Sequence, residues 1–79
     1  MIFQYKYRGL VIAEINTDAK LNEEHGFHVT DGRYIRITED AAKCRLTEND
    51  AYNLSLFFRQ YAFYRAGVIE ESELVNVEV

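Results

Sequence analysis

Seventy-nine residues, 48% apolar and 28% charged, with one cysteine and no proline, have the size and makeup of a single folded domain over residues 1–79. They exclude a disordered chain, an internal disulfide and a membrane-spanning helix, because the longest aliphatic run, Leu10 to Ala13, is far short of the roughly 20 residues that cross a bilayer. Residues 1–65 carry nine basic and nine acidic side chains; the net charge of −4 therefore comes from Glu70, Glu71, Glu73 and Glu78 in a tail with no base, and this argues against a dedicated nucleic-acid binder.

In chain order, Ile2 to Tyr7 alternates with Phe3, Tyr5 and Tyr7 on one side, which is strand periodicity. Leu10 to Asn16 follows after Arg8-Gly9. A tight turn there predicts Tyr7 facing Leu10, Tyr5 facing Ile12 and Phe3 facing Glu14. Thr17 to His25 is polar, with Thr17 placed to cap and Gly26 to end a short helix over 18–25. Phe27–Thr30 and Arg33–Thr38 flank Asp31-Gly32, the strongest hairpin signal in the chain; a turn there sets Val29 against Tyr34 and His28 against Ile35. Residues 39–42 connect, and Lys43 to Leu46 reads equally as a short strand or a helical turn.

Thr47-Glu48-Asn49-Asp50 resembles a capping box and opens a long helix, about 47–66, that Gly67 stops. Val75, Val77 and Val79 alternate with Leu74, Asn76 and Glu78, which predicts a last strand over 73–79. The expected class is α+β: two β-hairpins and a C-terminal strand in a small antiparallel or mixed sheet, with the long helix packed on it.

Residues 47–67 hold six of the eleven aromatic side chains. At about 100° per residue, Ala51, Leu54, Phe57, Phe58, Tyr61, Ala62 and Tyr64 form one broad core arc. Tyr52, Leu56 and Phe63 form a separate ridge, with Arg59 on one flank and Asn53 and Gln60 on the other. Aromatic residues beside Arg have the composition of a binding hot spot, so Tyr52, Leu56, Arg59 and Phe63 are the candidate partner-binding residues. Three covers are open for this ridge: another part of the chain, a second copy in a homo-oligomer, or a different protein. A domain this small buries only roughly 60% of its unfolded surface and gains from such a partner.

Other chemistry is weakly signalled. Arg33, Tyr34, Arg36 and Arg45 are the alternative candidates, as a basic and aromatic patch for a nucleic-acid-binding regulator. Arg33 and Arg36 nevertheless point to opposite strand faces, and Glu39 and Asp40 dilute the patch. His25 and His28 lie three apart without a second ligand pair, so no metal or cofactor is expected. Cys44 between Lys43 and Arg45 has no base placed beside it, so no catalytic residue is assigned and the chain reads as non-enzymatic. The lone thiol and the absence of a secretory pattern at residues 1–6 point to the cytoplasm. In size and economy the chain is similar in style to the small inhibitor and adaptor proteins of phages and other mobile elements, anti-CRISPR proteins included; that similarity is compositional and rests on no motif.

Overall fold

The computed structural model describes residues 1–18, 20–22, 28–30 and 33–79. In order these form β1 (Ile2–Tyr7), β2 (Leu10–Asn16), β3 (Lys20–Asn22), β4 (His28–Thr30), β5 (Tyr34–Ile37), a 3₁₀ turn (Glu39–Lys43), helix α1 (Glu48–Arg65), a second 3₁₀ turn (Glu71–Glu73) and β6 (Val77–Glu78). The fold is α+β. A four-stranded mixed sheet in the order β5-β2-β1-β6 is covered on one face by α1, and β3 pairs with β4 in a second, two-stranded sheet.

The first hairpin forms around Arg8 and Gly9, whose φ values of 51° and 84° are both positive. Those angles suit the right-handed twist of the flanking strands, although Arg8 holds a conformation that a side chain disfavours. Tyr7 faces Leu10 as expected, but a β-bulge shifts the register beyond it. Lys6 pairs with Val11 and Tyr5 with Ala13, leaving Ile12 as the extra residue, so that Phe3 faces Ile15. The cause is legible in the burial. Strict alternation would have turned Glu14 into the core; with the bulge, Ile12, Ala13 and Ile15 are buried there instead. Glu14 then pairs in register with Gln4 and Arg36 on the other face.

Three further expectations are corrected. Lys20–Asn22 is a strand and not part of a helix over 18–25, since a stretch with two apolar residues has no stripe to hold a short helix on a core, whereas a strand finds backbone partners in β4. Thr17 does not cap a helix; it is buried, and its hydroxyl donates to Glu71 at 2.5 Å. The second hairpin has different partners: β4 pairs with β3, and β5 pairs antiparallel with β2, setting Ile35 against Ile15 and Ile37 against Ala13. Bonding to a long, buried strand outweighs the local turn signal of Asp31-Gly32, which itself lies outside the described residues.

The connection 39–43 is a 3₁₀ turn, and residues 44–47 carry no regular structure. The closing strand is shorter than 73–79: it covers Val77–Glu78 and runs parallel to β1, with Val77 beside Tyr5.

Helix α1 begins at the capping box. Thr47 Oγ1 accepts from the Asp50 amide at 3.1 Å, and Asp50 Oδ2 accepts from the Thr47 amide at 2.9 Å. The helix ends in a Schellman motif: Gly67, at φ 77°, donates to the Tyr64 carbonyl and Val68 donates to that of Phe63. The core between helix and sheet consists of Phe3, Tyr5, Ile12, Ala13, Ile15, Leu54, Phe57 and Leu74, with Tyr5 and Phe57 in an edge-to-face contact at 5.7 Å. Among the described residues no helix is long and apolar enough to cross a membrane.

Candidate functional site

Burial divides α1 into two sides. Leu54 and Phe57 are fully inside, and Phe58, Tyr61 and Tyr64 are partly buried against the core. Ala51 and Ala62, expected on the core arc, are exposed, so the covered arc is narrower than the sequence suggested. A helix about 10–12 Å across matches about two strands at roughly 4.8 Å spacing, and β1 and β2 supply nearly all of the buried sheet face. The rest of the cylinder lies beyond the sheet.

The outward arc holds the ridge. Tyr52 is 61% exposed and Phe63 is 39% exposed. Arg59 is exposed, and its guanidinium lies over the Phe63 ring at 5.4 Å, a cation–π contact that holds both side chains along the helix surface. Leu56 differs from the other three, being partly buried at the margin of the C-terminal segment.

That margin is a groove of about 400 Å³ between α1 and β6, lined by Leu56, Phe57 and Tyr5 and by Val75, Val77 and Val79. Gln60 fastens its wall. The side-chain amide donates to the Val75 carbonyl and accepts from the Val75 amide, both at 3.0 Å, as a neighbouring strand would. Gln60 is therefore used inside the molecule and does not border an open ridge as its spacing suggested; Asn53 likewise lines the groove. Tyr5 lies at the groove with none of its surface accessible, and its hydroxyl finds no hydrogen-bond partner among the described residues. Burial first, then the nearby Asp50 and Tyr7, push this phenol above its ordinary value of 10.0.

The alternative residues are not brought together. Arg36 is held by Glu14, with Nε and one terminal nitrogen each 3.0 Å from the same carboxylate oxygen; this hydrogen bond and its charge raise the guanidinium's pKa further. Tyr34, partly buried, lies 6.0 Å from Arg36. Arg33 and Tyr34 sit at the Asn16 end of β2. Arg45 sits at the Leu10 end, about 20 Å of strand away.

There, Arg8, Lys43 and Arg45 line a depression of about 470 Å³ beside Tyr7, Leu10, Cys44 and Thr47. Lys43 is engaged by Asp40 at 2.9 Å, and Cys44 Sγ lies 3.6 Å from the Asp40 carbonyl. This gathering had no sequence signal, because residue 8 meets residues 43–47 through the tertiary fold. Neither did the groove. His25 lies outside the described residues, as does the His28 side chain; among the described residues no three His, Cys, Asp or Glu side chains are grouped to hold a metal ion.

The tail carboxylates are partly committed. Glu71 takes the Thr17 hydroxyl, and Glu73 accepts from the Glu70 amide at 2.7 Å. No family model, curated protein or solved structure matches this chain.

Proposed function

We propose that this protein is a small non-enzymatic interaction module of inhibitor or adaptor type, working in the cytoplasm, that binds a protein surface through the outward face of α1. Tyr52, Leu56, Arg59 and Phe63 are its contact residues. The observation that carries this reading is an aromatic ridge that stays open after the chain has folded, with Tyr52 at 61% and Phe63 at 39% exposure. Aromatic side chains next to an arginine are the residue types that dominate binding energy at interfaces. The exposed arc Glu48, Ala51, Tyr52, Ser55, Arg59, Ala62 and Phe63 carries two charges among seven residues, one of them in the first turn, where a face kept for water alone is charged or polar along its length.

The test is retention of protein from a host-cell extract on immobilised wild type and Phe63→Glu side by side. The variant is expected to keep its circular dichroism spectrum and lose the retained protein. Retention unchanged in a folded Phe63→Glu, and also in a folded Tyr52→Glu, would remove this face as the binding surface.

A nucleic-acid-binding regulator using Arg33, Tyr34, Arg36 and Arg45 is the weaker reading, since Glu14 already neutralises Arg36 and Arg45 stands at the far end of β2. A gel-shift measurement at two salt concentrations separates the two, because phosphate contacts make affinity fall steeply with salt.

A further inference from the structure

The groove between α1 and β6 joins apolar walls to an unused hydrogen-bond donor. Leu56 and Phe57 from the helix and Val75, Val77 and Val79 from the tail enclose about 400 Å³, within the size range of small-molecule sites. Tyr5 forms part of the same lining. None of its surface is accessible, and its hydroxyl has no hydrogen-bond partner among the described residues. Folded proteins pair nearly all of their buried hydroxyls, because leaving one unpaired is destabilising. An unpaired one at a groove points to an acceptor that arrives from outside.

The hydroxyl can be placed along the helix. Tyr7, two residues on and on the same face of β1, reaches Asp50 with its own hydroxyl at 3.3 Å. The Tyr5 ring packs against Phe57, and Asp50 acts on its phenol as a nearby charge. The hydroxyl therefore lies under residues 50–57, the two turns from which Asn53 enters the groove. Asn53 is half-buried there, and its side-chain amide bonds to no described residue. A ligand reaches the covered hydroxyl by moving a wall. β6 is two residues long and stands at the sheet edge, with no strand beyond it among the described residues, so it is the wall that yields.

The lining selects the chemistry of the ligand. Burial and Asp50 keep the phenol protonated, so the ligand must offer an acceptor, which an ammonium head lacks. Glu78 is the one charged side chain in the lining, and no cation stands there to meet a carboxylate or a phosphate. A neutral carbonyl oxygen satisfies both conditions. We propose that this groove binds a small, uncharged, mostly apolar molecule whose carbonyl oxygen accepts from the Tyr5 hydroxyl beside Asn53. Residues 53–60 of α1 set the length of its apolar body at about 10 Å. Tyr52, Arg59 and Phe63 do not line the groove, so the site is independent of their binding a protein.

Three probes with similar tails and different heads test this: methyl hexyl ketone, octanoate and octylammonium, each titrated into isotope-labelled protein and followed by amide NMR shifts. The ketone is expected to move the amides of Asn53, Leu56 and Gln60 and of residues 75–79, with a dissociation constant on the order of 1 mM, the scale for about nine non-hydrogen atoms. Each charged probe is expected to bind at least about fivefold more weakly. Tyr5→Phe keeps the ring, loses the donor and is expected to weaken the ketone about fivefold. Leu56→Trp, which fills the groove from the helix side, is expected to abolish binding with unchanged circular dichroism.

An unchanged ketone affinity in Tyr5→Phe would overturn the hydroxyl as the recognising group. Tighter binding of octanoate or octylammonium would overturn the uncharged class. Ketone binding that survives in a folded Leu56→Trp, or no shift at the groove up to about 5 mM ketone, would overturn the site itself.

Discussion

Phe57 and Phe63 stand six residues apart on one helix, and the first is 2% exposed while the second is 39% exposed. Phe57 meets the Tyr5 ring edge-on at 5.7 Å and lies among the buried residues of β1 and β2. Phe63 has the Arg59 guanidinium over its ring and keeps part of its surface in solvent. The residue type is the same, and the helix offers both positions equal backbone support. What differs is the width of what lies beneath. One layer of sheet covers one stripe of a helix, and a helix with apolar residues all round needs a second cover that this fold does not provide.

The sharpest way to break that comparison is to truncate each ring in turn. Phe57→Ala is expected to cost about 3–5 kcal/mol, through lost burial and the cavity left behind. For a domain of this size that is a large fraction of the total stability. Phe63→Ala is expected to cost at most about 1 kcal/mol in the monomer, the scale of an exposed cation–π contact. Urea unfolding at low protein concentration measures both, and equal losses would mean that the two sides of α1 are not inside and outside at all.

A smaller effect probes the inward side at its one polar defect. Tyr5→Phe removes a buried hydroxyl that has no partner among the described residues and keeps the ring against Phe57. Because an unsatisfied buried hydroxyl is destabilising, the variant is expected to gain about 1 kcal/mol. A loss of that size would show that the hydroxyl is hydrogen-bonded in solution and that the groove beside it is wet.

The smallest expected effect lies at the start of the helix, where both sides depend on one cap. The amide hydrogen bond from Thr47 holds the Asp50 carboxyl below its ordinary 3.8, with help from the Thr47 and Tyr7 hydroxyls. A carboxylate with a depressed pKa contributes stability above its unfolded value and loses that contribution as pH falls through the folded one. Wild type is thus expected to lose stability on acidification below 3.8 more steeply than Asp50→Asn. Parallel pH profiles for the two proteins would show that the cap contributes nothing specific to the carboxylate.

Several features were legible in the sequence because each depends on residues a few positions apart. The Arg8-Gly9 turn, the Thr47–Asp50 box and the stop at Gly67 are local chemistry, and all three are present. The separation of Tyr52 and Phe63 from Leu54 and Phe57 is helical geometry, and it also holds. Two details of the ridge were not legible: Gln60 bonds to the backbone at Val75, and Leu56 shares a groove with the three tail valines, and both contacts need β6 in place beside α1.

The sequence by itself determined where the chain turns, where the helix is capped and ended, and which of its faces are apolar, since those outcomes follow from φ preference, capping and a fixed angular period. Only the tertiary structure decided that β5 joins β2 instead of β4, that a bulge carries Glu14 out of the core, and that β6 runs parallel to β1. Strand partners are chosen by competition for a buried neighbour, and that competition is settled by the whole sheet at once and not by any segment of the chain alone.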